Sequence, residues 1–185
     1  MGREARRTLN EPETIRVLAH PVRVELLTYL MANSPATASA CARAVGDTPS
    51  NCSYHLRTLA KVGLVAPEES TDGRERPWRA LVTGLSMDPD ESDETAQTLN
   101  ALWLQRDQRL TREFLARRDQ LPKRWRDVAG LSTYTLNITD GELRELGERL
   151  DALIRPYIAA TRDDAPAGAE QVHVGLHAFP LGQPS

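Results

Sequence analysis

Four side chains capable of chemistry lie close together in the stretch TPSNCSYHLRTLAKVGLV at residues 48–65: Cys52, Tyr54, His55 and Arg57. A thiol beside an imidazole and a guanidinium could form a reactive or metal-sensing site, because nearby cations favour the thiolate. The same side chains on one face of a helix could instead contact a long, regular partner such as DNA. The elements around this stretch distinguish the two interpretations.

Winding the stretch at 3.6 residues per turn separates Cys52 from its polar neighbours. Cys52, Leu56 and Leu59 share one face, where a cysteine packs as a small hydrophobe. The opposite face is polar, and free amides at the helix N-terminus suit a phosphate. His55 lies at the border of the two faces, where it could contact a phosphate or support the helix end. The candidate DNA-contacting residues of this helix are Thr48, Ser50, Asn51, Ser53, Tyr54, His55, Arg57, Thr58 and Lys61.

The preceding residues position this helix. Pro21 opens a helix with an apolar stripe, and Thr37 caps a short alanine-rich helix that ends at Gly46. Thr48-Pro49 then starts the next helix, so the pattern is a helix-turn-helix. Strands are expected at 64–66 and 78–82 around the turn at 70–73, which predicts a hairpin, or wing. The wing carries the further candidate DNA contacts Arg74, Arg76 and Arg79.

The acidic, proline-containing segment SMDPDES at 86–92 predicts a domain boundary, with one domain at 1–85 and a second at 86–185. Apolar residues recur at helical spacing between Leu99 and Leu121, so a long helix is expected over 93–121, ended by Pro122. Strand-like alternation at 134–138 and 172–176 flanks a helix capped by Thr139, which predicts a small β-α-β region. The expected fold class is mainly α with small β: a winged helix-turn-helix, a long dimerisation helix and this C-terminal region.

Charge differs between the two halves of the 185-residue chain, whose net charge is −3. Residues 1–85 hold 11 Lys/Arg and 9 Asp/Glu, a balance of +2, whereas residues 86–185 hold 12 and 17, a balance of −5. Two cysteines cannot form a disulfide framework, and no apolar stretch approaches the ~20 residues of a membrane helix. We therefore expect a cytoplasmic protein without membrane contact.

The segments LAHPVRVELLTYL at 18–30 and TASACARAVGDTPSNCSYHLRTLAKVGLV at 37–65 resemble the winged helix-turn-helix of ArsR-like bacterial regulators. The resemblance rests on the Pro-x-Arg helix start at 21–23, on Ala42 and Gly46 around the turn, on the Ser-x-His-Leu run at 53–56 and on Gly-Leu-Val at 63–65. The back half resembles the C-terminal region of actinobacterial regulators of this kind. The resemblance implies DNA binding by a dimer.

Metal, redox and enzymatic alternatives have few residues to support them. The resemblance would place the thiols of the arsenic sensors at Thr37 and Ser39, and the long helix contains no histidine for a zinc site. Cys41 and Cys52 are expected to pack in the core. His173 and His177 share one side of a strand without a third ligand in the sequence pattern. We therefore predict no metal site, no cofactor and no catalytic residues.

These patterns together predict a sequence-specific transcription regulator that binds double-stranded DNA, on a palindromic operator, as a homodimer. The acidic C-terminal half could complete the dimer or bind a small-molecule effector. The alternative is a winged-helix protein-interaction module whose acidic half binds a protein partner, because a fold does not determine a function.

Overall fold

The computed structural model describes residues 6–69, 75–88, 90–159, 161–162 and 164–182. In these residues the chain forms seven α-helices and four short strands. The strands are β1 (Arg7–Leu9), β2 (Val65–Pro67), β3 (Trp78–Ala80) and β4 (Leu85–Met87). The helices are α1 (Pro12–Leu18), α2 (Pro21–Asn33), α3 (Ala38–Val45), α4 (Pro49–Lys61), α5 (Glu94–Arg117), α6 (Lys123–Arg126) and α7 (Asp140–Ile154). None of the described helices is both long and apolar enough to cross a membrane.

Local signals in the sequence set the bounds of the N-terminal helices. Pro21 and Pro49 occupy first-turn positions, where a fixed φ favours the helix. The Thr37 hydroxyl accepts a hydrogen bond from the Ala40 amide, and Gly46 ends α3 with φ 72°. That left-handed conformation carries little strain only for glycine, so α4 can leave α3 through a tight turn. The predicted helix-turn-helix is confirmed.

One hydrophobic core holds the N-terminal half together. It contains the apolar faces of α1 to α4, the strand residues Val65 and Ala80, and the first turns of α5. Leu26, Leu30 and Leu56 are fully buried. Each side chain of that size contributes about 1.5–3 kcal/mol when removed from water. The core therefore fixes α4 relative to α2 and α3.

Two small sheets border this core. The predicted wing forms as β2 and β3, antiparallel, with Val65 opposite Ala80. Ala36 adds a bridge to Trp78 on the other side of β3. A second pair was not expected from the sequence: β1 runs parallel to β4, with Arg7 opposite Leu85. This pair joins the N-terminus to the segment before α5.

The C-terminal half keeps its predicted helices but not its predicted strands. Asp93 caps α5, a short 3-10 turn extends it to residue 120, and α7 begins with the expected Thr139, in a capping box with Glu142. The β-α-β prediction is wrong for the single chain, because 134–138 and 172–176 pair with no strand among the described residues. Alternation supplies an apolar face, but a strand also requires a hydrogen-bonding partner.

Candidate nucleic-acid interface

Helix α4 presents two chemically different faces. Cys52, Leu56 and Leu59 are fully buried. Tyr54 is 61% exposed, and Ser50, Arg57 and Lys61 are exposed on the same side of the helix. This face is about 20 Å long, because 13 residues rise about 1.5 Å each. Its length and polar character suit the major groove of DNA, which is about 12 Å wide and admits one helix.

A hydrogen-bond network holds the N-terminus of α4. The Thr48 hydroxyl accepts a bond from the Asn51 amide at 3.2 Å. The Asp47 carboxylate accepts the Thr48 amide at 2.6 Å and the Asn51 side-chain amide at 2.7 Å. These two bonds lower the pKa of Asp47, the backbone bond most. Asp47 therefore places a negative charge beside a helix end that would otherwise favour phosphate, and it fixes the orientation of Asn51.

His55 belongs to α4 but is only 5% exposed. Its ring is therefore covered by the protein and is not open to a phosphate. Its ring contacts the ring of His20 at the start of α2, with the centroids 4.6 Å apart and the planes tilted by 43°. The Nδ1 atoms of both rings and the Nε of Arg23 are buried and have no hydrogen-bond partner among the described residues. Burial is the main cause lowering the pKa of each of these three groups. This burial favours the other predicted role, in which His55 supports the helix from the core side.

The wing differs from the sequence prediction in how its charges are used. Arg76 is exposed, but Arg79 is half-buried and pairs with Glu68 at 3.1 Å. Glu75 accepts a hydrogen bond from the Ser39 amide at 3.0 Å, in the first turn of α3. Two of the wing carboxylates that would repel DNA are thus engaged within the protein. Arg74 lies outside the described residues.

Apart from the buried His55 and from Arg74, the predicted contact residues fall into two groups, half-buried and exposed. Thr58 is half-buried, and its hydroxyl donates to the Tyr54 carbonyl at 3.0 Å, so its donor is already used. The half-buried set is Ser53, Thr58 and Arg79, and the exposed set is Thr48, Ser50, Asn51, Tyr54, Arg57, Lys61 and Arg76. Sequence reasoning missed the roles of Asp47, Glu75, His20 and Arg23. The acid before Thr48 was a local signal for the first, but the other three depend on tertiary contacts.

Two cysteines lie in the core behind this surface. Cys41 and Cys52 are both fully buried, which confirms the packing prediction. Burial raises the pKa of Cys41 to about 11, with a further contribution from Cys52, and burial also raises the pKa of Cys52. Among the described residues, no group of three or more His, Cys, Asp or Glu side chains is arranged to hold a metal ion.

Residues 18–68 match the family model of a helix-turn-helix domain. No curated protein matches the chain. Among solved structures, a homodimeric winged helix-turn-helix DNA-binding domain from Mycobacterium bovis, a possible ArsR-family transcriptional regulator, is 20% identical. That match covers 53% of this chain and 79% of the other, with a TM-score of 0.35.

Two further solved structures show a similar degree of likeness. MepR, a transcription regulator of the Staphylococcus aureus multidrug efflux pump MepA, is 13% identical over 74% of this chain and 78% of its own, with a TM-score of 0.31. A double variant of Lactococcus lactis ZitR is 15% identical over 76% and 83%, with a TM-score of 0.32. Similarities of this size carry no functional conclusion. The family match and the α3–α4–wing arrangement together show that the N-terminal half has a winged helix-turn-helix fold.

Proposed function

We propose that this chain is a sequence-specific, ArsR-like transcription regulator that binds a palindromic DNA operator as a homodimer. The observation that carries the proposal is the exposed polar face of α4, opposite a face locked into the core. In helix-turn-helix proteins the second helix enters the major groove, with residues near its N-terminus at the base edges. Here α4 occupies that position.

The residues of α4 divide by their reach along the helix. Ser50, Asn51 and Tyr54 lie in its first two turns, where base edges come closest. Asn51 is oriented by Asp47 and offers the amide geometry that suits adenine. Arg57 and Lys61 lie farther along the helix and suit phosphates. Arg76 of the wing, with Arg74, would contact the flanking backbone or the minor groove.

A dimer supplies the affinity that one such surface lacks. The wing and α4 offer few free cations, and Asp47 opposes phosphate at the helix end. Two half-sites read together compensate for weak single contacts, and α5 is the helix we assign to subunit pairing. Leu104 and Leu115 of α5 are 47% and 51% exposed, as expected for a helix whose partner is another subunit.

Selection of bound DNA from a random pool tests the proposal. A palindromic consensus is expected, and binding should weaken steeply with salt. Arg57→Ala should lower affinity for the selected site and reduce the slope of log K against log salt by about one. Arg144→Ala on α7 is the matched control and should leave both unchanged.

Failure of the selection would favour the other class of function. If no sequence is enriched and no complex forms at low salt, while a protein co-purifies with the chain, the winged helix is a protein-interaction module. An effector remains a prediction of its own. A small molecule that binds the native dimer would raise its melting temperature in proportion to the logarithm of its concentration.

A further inference from the structure

Beyond Leu99, the described residues form no hydrophobic core within one subunit. Every buried side chain among the described residues lies between Leu9 and Leu99. The chain exposes 13067 Å², whereas a compact monomer of 20.6 kDa exposes about 8,900 Å². The excess of roughly 4,000 Å² shows that the chain is not packed as one compact monomer.

The apolar part of that surface is concentrated after α6. Large exposed hydrophobic side chains recur throughout residues 128–181, the segment we call the C-terminal arm. At about 100 Å² each they present on the order of 1,200 Å² per chain, more than the about 800 Å² per partner of a stable interface. They are Val128, Leu131, Tyr134, Leu136, Ile138, Leu153, Tyr157, Val172, Val174, Leu176, Phe179 and Leu181.

The last part of the arm is attached to its own subunit by alternate residues. Gln171 donates through its side-chain amide to the Ala32 carbonyl at 3.2 Å, at the end of α2. The Nε2 atoms of His173 and His177 each lie 3.1 Å from a different carboxylate oxygen of Asp107 on α5. This segment therefore lies along α2 and α5 with its odd-numbered side chains toward them.

Gly175 permits this close approach. A Cβ at that position would lie 3.3 Å from Asp107 Oδ2, closer than most Cβ contacts, and 3.5 Å from His173 Nε2, an ordinary contact distance. The backbone between the two histidines thus runs directly over the carboxylate. A larger residue at 175 would therefore require the Asp107 carboxylate or the backbone to shift.

The even-numbered residues of the same segment are apolar and point away. Val172, Val174 and Leu176 are 65%, 59% and 57% exposed. An extended segment fixed by its polar side, with a row of branched apolar side chains on the other, is an edge that either pairs or aggregates. It has no strand partner among the described residues.

A second extended segment of the arm, residues 134–138, also combines exposed apolar side chains with the lack of a described strand partner. Tyr134, Leu136 and Ile138 are 80%, 54% and 41% exposed, and this segment too pairs with no described strand. Both segments are five residues long, and α7 separates them in sequence. Both have an apolar row and a backbone edge that pairs with no described strand, so each can supply the partner that the other lacks.

We propose that the two segments pair between subunits: residues 134–138 of one copy pair with residues 172–176 of a second copy, and reciprocally. A two-fold exchange satisfies both edges of both chains with one self-complementary surface. The arm is anchored to α5, so this surface continues the α5 seam. The inference rests on the homodimer of the proposed function but not on its DNA binding.

Disulfide trapping between engineered cysteines tests the exchange in the full-length protein without DNA. Leu136→Cys and Val174→Cys place thiols at the centres of the two segments, whereas the native Cys41 and Cys52 are buried and cannot compete. The two single variants, co-expressed with tags of different mass, should form a covalent heterodimer on mild oxidation with copper phenanthroline. Thr135→Cys co-expressed with Val174→Cys is the matched control, and we expect at least tenfold less product from it.

The double variant Leu136→Cys/Val174→Cys separates the alternatives on a non-reducing gel. A covalent dimer supports exchange. A monomer with an internal disulfide, or no disulfide at all, overturns it. Sedimentation of Val172→Asp/Leu176→Asp at a series of concentrations gives a second measurement. A raised dimer dissociation constant with unchanged helix content by circular dichroism supports the interface, and an unchanged dissociation constant contradicts it. A gel shift on the unmodified protein decides DNA binding independently of either result.

Discussion

The ring of His20, at the start of α2, contacts the ring of His55 on the buried side of α4. Because both rings are largely removed from water, the free energy of unfolding should depend on pH. Burial lowers the pKa of His55, and the nearby His20 and Arg23 lower it further, against an opposing contribution from Asp47. Burial also lowers the pKa of His20, with Arg23 adding to the effect. In the unfolded chain a histidine titrates near pH ~6.5. The folded state therefore favours the neutral rings.

The direction of the effect follows from these shifts. The unfolded chain binds protons at a higher pH than the folded protein, so the contribution of the pair is complete above about pH 6.5. It is lost as the pH falls from there through the folded pKa values. Each histidine protonated only in the unfolded state changes the free energy of unfolding by about 1.4 kcal/mol per pH unit. The pair therefore sets a maximum slope of about 2.7 kcal/mol per unit.

Urea denaturation between pH 7.5 and pH 5.5 measures this slope. The free energy of unfolding of the unmodified protein should fall toward the acid end. His55→Gln should reduce the slope by the share of one histidine, whatever it does to absolute stability. Lys61→Ala, exposed at the end of α4, is the control and should keep the full decrease. A flat profile, or a slope unchanged in His55→Gln, would refute the reasoning.

Two further substitutions and one thiol-labelling experiment test the packing around α3 and α4. Leu56→Ala should lower the free energy of unfolding by about 2–5 kcal/mol, because the side chain is fully buried, and Lys61→Ala should change it by less than about 0.5 kcal/mol in the same denaturation assay. Glu75→Ala should cost about 1 kcal/mol by removing the acceptor of the Ser39 amide, whereas Glu69→Ala, exposed in the same wing, should have little effect. Iodoacetamide should label Cys41 and Cys52 of the native protein far more slowly than the urea-unfolded chain, because both thiols are buried with raised pKa values, and fast native labelling would contradict the packing.

The helix-turn-helix could be predicted because its signals are local. Gly46 ends one helix, Thr48 and Pro49 begin the next, and the apolar spacing of α4 identifies its buried face without knowledge of the partner elements. The same reasoning placed Thr139 and its helix in the C-terminal half. Caps and periodicity act within a few residues, so one sequence suffices to find them.

Long-range contacts were beyond that reasoning. The pair β1–β4 joins residues 78 apart through strands of three residues, too short to show periodicity. The contact between the His20 and His55 rings depends on how α2 packs against α4. The segments 134–138 and 172–176 show the opposite case. They have the side-chain pattern of strands, but the single chain supplies no partner to make them so.

The proposed DNA recognition and the stability of the fold involve different residues of α4. Ser50, Tyr54 and Arg57 are exposed, so replacing them should alter which DNA is bound at little cost in folding. Cys52 and His55 are buried, so replacing them should weaken the packing of α4 against the core. Binding should then weaken for all DNA sequences alike. The thiol and the imidazole that suggested a reactive site thus belong to the support of α4. The side chains that we propose to contact DNA lie on the exposed face of the same helix.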